Sequence, residues 1–227
     1  VYEILQLLFP VSCLVCDSPG AQLCTYCRRA IGPKIRSREF GGIKYWAGAD
    51  YGVELAKVIL LAKERNNSPA RDFLADLIVQ TFLAASMEFN MENSLFIPIP
   101  SSRAANRTRG FKHALLLARV AAKKIQKIGA AEIEVRELLQ VNRTIADQSN
   151  LNRNERARNL SGAYSINNRT NGSDFEPGLR SIFLIDDLVT TGSSTREGMR
   201  ALYGAGFAPH GVLSAGVSLG VSVGAFS

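Results

Sequence analysis

Apolar positions fall at helical spacing in three stretches of the chain. Between residues 53 and 65 they include Leu55, Ile59 and Leu60, and between 69 and 87 they include Phe73, Leu74, Leu77, Ile78 and Phe82. Each spacing predicts an amphipathic helix that turns one face to a core. Asn66-Asn67-Ser68-Pro69 separates the two, and Ser-Pro predicts the start of the second, because proline's fixed φ and missing N–H suit a first helical turn. A third helical pattern covers 114–128. Two runs break this periodicity, LFIPIP at 95–100 and IFLI at 182–185. IFLI is too short for a buried helix and rich in β-branched and aromatic types, so it reads as a central strand covered on both faces. In the first run Pro98 and Pro100 cannot donate to a ladder, so that strand ends or bends there. Residues 43–52 predict a short strand or hairpin after a hinge at Gly41-Gly42. Residues 211–223 alternate as a final strand, behind a helix that Gly204 and Gly206 end.

The chemistry concentrates behind the central strand. Asp186 and Asp187 follow it at once. Two adjacent carboxylates at the end of a buried strand are costly unless they face a crevice and a ligand, and open α/β sheets bind ligands at that end. Thr190, Thr191, Gly192, Ser193, Ser194 and Thr195 come next. Small hydroxyl residues around a glycine let backbone N–H groups converge on an anion, and a helix starting near Thr195 adds its positive end. The stretch thus offers a diol site beside a phosphate site. A solvated strand end and an ordinary N-capping loop are the plainer readings. IFLI-DD-LV-TTGSST resembles the signature of type I phosphoribosyltransferases. The resemblance implies that the acidic pair holds the ribose hydroxyls of phosphoribosyl pyrophosphate and the loop its 5-phosphate.

A second strand-then-loop unit carries Arg103, Arg107 and Arg109 on the loop after Pro100. Three arginines there form a clamp for an anion, or else cap a helix and solvate the rim. Residues 143–164 are polar, rich in Asn and Arg, and read as a basic lid able to close over a reactive phosphate ester, with 151–160 as a possible short helix. Residues 167–180 read as an exposed turn or insertion.

All four cysteines lie near the amino terminus as two CxxC pairs, Cys13/Cys16 and Cys24/Cys27. Knuckles this close present four sulfurs in a tetrahedron, the arrangement of structural Zn²⁺ sites. Two disulfides would need an oxidising compartment, and a thioredoxin-like redox pair needs a single CxxC. With every position filled by thiolate, such a metal is structural. Arg28, Arg29, Lys34, Arg36 and Arg38 follow as a basic linker or a nucleic-acid contact. The expected organisation is a zinc-binding module over 1–40 and an α/β domain over 41–227.

Composition and charge narrow the partners. The 46% hydrophobic content suits an α/β domain of 227 residues with a small appendage. No run approaches the ~20 apolar residues of a membrane helix. The first residues contain Glu3 and lack a basic n-region, so no signal peptide is read and the expected address is cytoplasmic. The net charge of +7 is uneven, since residues 97–169 hold 14 Lys/Arg against 5 Asp/Glu. That block suits pyrophosphate or a nucleic-acid backbone, although Lys123, Lys124 and Lys127 read first as a solvated helix face.

The order of parts is more specific than any one of them. A four-cysteine knuckle pair, PIPSSR, RTRGF, a stretch holding Arg143, Gln148, Arg156 and Asn159 that closes in NLSGAY, and then the phosphoribosyl signature together resemble the ComF family of competence-associated proteins. The resemblance spans nearly the whole chain. It implies a type I phosphoribosyltransferase-like parallel sheet flanked by helices, a zinc-binding amino terminus, and Mg²⁺-assisted binding of phosphoribosyl pyrophosphate. Arg103, Arg107 and Arg109 would meet pyrophosphate, and Arg143, Gln148, Arg156 and Asn159 would belong to the lid. It further implies a role with incoming single-stranded DNA and competence-machinery proteins, with no membrane insertion. Transfer to a nitrogen acceptor, non-catalytic single-strand binding and phosphoribosyl pyrophosphate sensing are the three activities compatible with these parts. Where many members carry RGFNQ, this chain reads Arg109-Gly110-Phe111-Lys112-His113.

Overall fold

A computed structural model of the chain describes residues 11–142, 162–167 and 180–218. A six-stranded, mostly parallel sheet is flanked by helices on both faces. Its strands are β1 (Arg36–Phe40), β2 (Ile43–Asp50), β3 (Asn93–Pro98), β4 (Glu132–Val135), β7 (Ser181–Val189) and β8 (Gly211–Val217), in spatial order β1-β2-β8-β7-β3-β4. Only β1 runs antiparallel to its neighbour. A separate antiparallel pair, β5 (Leu139–Val141) and β6 (Tyr164–Ile166), stands apart from the sheet.

Both faces of β7 are buried, and its alternation shows how. Phe183 and Ile185 enter one core with Trp46, Phe96 and Leu213, while Ile182 and Leu184 enter the other with Leu95, Ile97 and Val212. Helices α2 (Val53–Glu64), α3 (Ser68–Ala85) and α5 (His113–Lys127) supply the first core, and α6 (Ser193–Tyr203) with β5 and β6 the second. The three expected helices therefore stand where periodicity put them. Asn67 caps α3 by accepting from the Ala70 N–H at 2.9 Å, and Pro69 sits in its first turn.

Several expectations change. Gly41 and Gly42 are no hinge. Their φ values of 59° and 74° make the tight two-residue turn of the β1–β2 hairpin, which needs positive φ at both centres. Residues 36–40, placed with the amino-terminal module on sequence, are the sheet's edge strand. Its exposed charges Arg36, Arg38 and Glu39 suit an edge that must not pair further, and for that reason it looks like a linker. Strands β4, β5 and β6 carry too few residues for their alternation to register. The final strand ends at Val217, and the remainder of the expected 211–223 run lies beyond the described residues after Ser218.

The amino-terminal segment packs into the main core. Val15, Cys27 and Ile31, the last two on α1 (Thr25–Ile31), join the cluster that contains α2 and α3. Lys57 Nζ donates to the Val15 carbonyl at 2.8 Å, and the Lys34 N–H donates to Gly48 O at 2.8 Å. Arg28 lies over the Phe73 ring at 5.1 Å. Among the described residues no helix is long and apolar enough to cross a membrane.

Candidate functional site

β7 continues past IFLI through the acidic pair to Val189, still paired to β8 at Asp186↔Ser214 and Val189↔Val217. Strand alternation then separates the two carboxylates. Asp187 turns to the side of α2 and α5, where Lys63 Nζ donates to its Oδ2 at 3.0 Å and His113 Nε2 stands 3.4 Å from the same oxygen. Its Oδ1 accepts from the Leu188 N–H at 2.9 Å. Asp186 accepts from the Asp187 N–H at 2.9 Å and has no ion-pair partner among the described residues.

The environments push the two acids apart. Burial raises the Asp187 carboxyl, but the Lys63 ammonium and then His113 outweigh it and hold the group below the usual range. Burial and then the Asp187 charge push Asp186 well above that range. Asp187 in turn raises Lys63. Burial, followed by the Asp186 charge, raises the Tyr164 phenol.

The pair opens into a cleft of about 570 Å³, lined also by Lys63, Ser101, Arg109, Tyr164 and Ser194. The three arginines do not share it. They stand on a short helix, α4 (Arg103–Arg109), and not on a loop, because Ser102 caps its start by accepting from the Ala105 N–H and two alanines favour helix. At 100° per residue, Arg103 and Arg107 fall on one face and Arg109 on the opposite one. Arg109 alone of the three lines the carboxylate cleft, with Nε 3.4 Å from Glu64 Oε2. Arg103 lines a neighbouring cleft of about 210 Å³ against β5, and Arg107 is exposed.

Gly192, at φ 68°, turns the chain into α6, which starts at Ser193 and so two residues before the expected Thr195. Thr195 is buried, and its Oγ1 donates to Gly192 O at 2.9 Å and lies 3.1 Å from Tyr45 Oη. Thr191 and Ser193 hydroxyls meet at 2.9 Å. These hydroxyls shape the loop, leaving first-turn N–H groups such as Ser194 N–H without a partner inside the helix. Thr190, Thr191 and Gly192 line an apolar cleft of about 280 Å³ on the other side, with Phe40 and Tyr45, whereas Ser194 faces the carboxylates. Gly192→Val would force a β-branched residue to positive φ and set its Cβ 3.2 Å from Tyr45 Oη. A loss of about 1–3 kcal/mol in thermal or denaturant unfolding is expected; an unchanged midpoint would show that the turn tolerates a side chain.

Sequence reasoning missed several groups here. Lys63 is one lysine among many at a helix end, and nothing local ties it to residue 187. His113, which sequence marks only as a departure from RGFNQ, is buried beside Asp187 with neither ring nitrogen hydrogen-bonded among the described residues. Arg196 stands over Phe40 at 5.3 Å and donates to Ser193 Oγ at 3.3 Å, which puts a guanidinium beside the loop. Tyr164, the end of NLSGAY, is held on α6 by Glu197, which accepts from its N–H, and by Arg200, which donates to its carbonyl. The lid residues Arg143, Gln148, Arg156 and Asn159 lie outside the described residues. Within the basic block, Lys112 pairs with Glu137, Lys124 with Asp72 and Asp76, and Arg136 with Glu134. Lys123 and Lys127 are exposed.

The four cysteines are free thiols whose Sγ atoms all lie within 4.8 Å of one another. Four sulfurs at ~2.3 Å from one tetrahedral ion stand ~3.8 Å apart, and Cys16 Sγ and Cys24 Sγ are 3.7 Å apart. The N–H groups of Cys24 and Cys27 point at Cys13 Sγ and Cys24 Sγ, each at 3.4 Å, which steadies thiolate charge. The cluster can hold a metal ion such as Zn²⁺. Comparison of the chain with protein-family models and with curated proteins gives no match in either set.

Proposed function

We propose that the chain binds phosphoribosyl pyrophosphate with Mg²⁺ and transfers its phosphoribosyl group to a nitrogen acceptor, releasing pyrophosphate. The observation that carries this reading is one cleft at the carboxyl end of β7 where Asp186, Asp187, Arg109 and the first turn of α6 converge. A diol would hydrogen-bond to the carboxylates, a terminal phosphate would take first-turn N–H groups near Ser194, and a pyrophosphate would take the guanidinium. The hard oxygens of Asp186, free of any ion pair among the described residues, suit Mg²⁺, which neutralises a departing pyrophosphate.

In this reaction the C1–O bond to pyrophosphate breaks, a C1–N bond forms, and the acceptor loses a proton. Positive charge grows on the ribose ring as the leaving group departs. Carboxylate charge nearby stabilises that state more than the ground state, which is what lowers a barrier. Tyr164 and His113 wall the cleft and restrict water. With the ComF-like order of motifs, the reading sets this activity among proteins associated with DNA uptake. Zn²⁺ is assigned to the four cysteines in a structural role, since four thiolates leave no open position. Calorimetry with phosphoribosyl pyrophosphate and Mg²⁺ is expected to give one site per chain, and a screen of nitrogenous acceptors to release pyrophosphate. Heat indistinguishable from dilution would defeat the reading. Binding without release for every acceptor would leave the sensing role in its place.

A further inference from the structure

Two consecutive residues in the last turn of α2 hold both charged sides of the cleft. Lys63 Nζ is 3.0 Å from Asp187 Oδ2, and Glu64 Oε2 is 3.4 Å from Arg109 Nε. In each pair the cleft residue is buried, Asp187 at 7% and Arg109 at 9% side-chain exposure, while the α2 residue is far more open at 36% and 45%. Arg109 Nη1 is buried and has no hydrogen-bond partner among the described residues. Both oxygens of Asp187, by contrast, are occupied.

We propose that Lys63 and Glu64 form an exchangeable latch that selects a ligand carrying an anion and a diol together, with Lys63 itself passing from Asp187 to the bound pyrophosphate. The inference rests on the phosphoribosyl pyrophosphate reading above. Its direction follows from burial. Releasing a half-exposed Lys or Glu into water costs little, whereas leaving a buried carboxylate or guanidinium unpaired costs much. A ligand can therefore displace the α2 residues only if it replaces what they supply. Pyrophosphate satisfies Arg109 in place of Glu64 and attracts Lys63, but that strips Asp187 of its cation. A ribosyl diol replaces the hydrogen bond lost by Asp187. An intact sugar pyrophosphate supplies both, so each half of the ligand favours the other through α2.

Calorimetry on the full chain separates the parts, using three probes with Mg²⁺: inorganic pyrophosphate, ribose 5-phosphate and phosphoribosyl pyrophosphate. Glu64→Gln removes the competitor for Arg109 at an exposed position and is expected to tighten pyrophosphate several-fold while leaving ribose 5-phosphate unchanged. Lys63→Met is expected to weaken pyrophosphate on the order of 10-fold or more, the loss of one charge-assisted hydrogen bond, without weakening ribose 5-phosphate. Lys63→Arg should restore most of the pyrophosphate affinity. Equal weakening of both half-ligands by Lys63→Met would make Lys63 a structural counter-ion and overturn the latch, as would unchanged or weaker pyrophosphate binding in Glu64→Gln. If the wild type binds pyrophosphate with these signatures but not phosphoribosyl pyrophosphate, the functional reading falls and the exchange at α2 stands. If it binds neither, both fall.

Discussion

With Zn²⁺ at the four cysteines, as proposed, replacing Cys27 by Ser is expected to release the ion and to lower the melting temperature of the whole chain. Structural zinc contributes roughly 10–16 kcal/mol in isolated zinc-finger peptides, where metal binding and folding are one event. Here the cluster is not isolated. Cys13 and Cys27 are fully buried in the core that includes Leu55, Phe73 and Ile78, and Lys57 ties the first knuckle to α2. Loss of the ion leaves uncompensated thiolates or thiols in that core, so α2 and α3 lose packing as well. A drop on the order of 10 °C is expected, from a few kcal/mol at 2–4 °C each for a chain of this size. Metal analysis and calorimetric unfolding check it together. One transition that shifts downward, matched by chelator-treated wild type, is the expected record. Chelator-treated wild type with the same midpoint as untreated wild type would rule out a structural ion, and a separate small transition would mean that the knuckles fold apart from the sheet.

Asp186→Asn and Asp187→Asn, one residue apart, are expected to change stability in opposite directions while both weaken phosphoribosyl pyrophosphate. Asp187→Asn keeps an oxygen for the Leu188 N–H but removes the charge that Lys63 answers. Breaking a fully buried pair costs about 3–5 kcal/mol. Because Lys63 is 36% exposed and can turn to solvent, about 1–3 kcal/mol is the expected loss. Asp186→Asn removes a carboxyl that ionises at a cost, since burial and the Asp187 charge hold its pKa up, so this variant is expected to be more stable than wild type at neutral pH.

The pH dependence gives the sign. For Asp186 the folded state binds its proton more tightly than the unfolded chain, so wild-type stability falls as pH rises above the unfolded value of about 3.9, and Asn escapes that fall. For Asp187 the folded pKa is depressed, so its contribution is full above about 3.9 and is lost as pH falls toward the folded value. Both differences from wild type should therefore shrink in strong acid. Thermal unfolding from pH 3 to 8 measures them, and calorimetry should find binding weakened in each variant by about 1.5–3 kcal/mol for a lost charge-assisted hydrogen bond. Two variants destabilised alike would mean that the carboxylates share one environment and that strand alternation does not separate them.

Local pattern determined much of this protein. Helical spacing located α2, α3 and α5 within a residue or two, because a helix repeats its environment every 3.6 residues and its apolar face must recur in the sequence. IFLI marked a strand buried on both faces for the same kind of reason. The two CxxC pairs brought four sulfurs together through turns only a few residues long, and TTGSST marked a glycine turn before a helix, since caps and turns are short-range chemistry. The tertiary structure decided what lies between distant residues. Nothing near position 63 says that it meets position 187, and nothing near Glu64 names Arg109. Whether Arg103, Arg107 and Arg109 act as one clamp depended on whether their segment coiled into a helix, which turned Arg109 away from the other two. The charged β1 looked like a linker because an edge strand and a solvated linker expose the same residues. The separation of Asp186 from Asp187 came from β8 pairing that carried the strand through both, a hydrogen-bond register set by a segment more than twenty residues downstream.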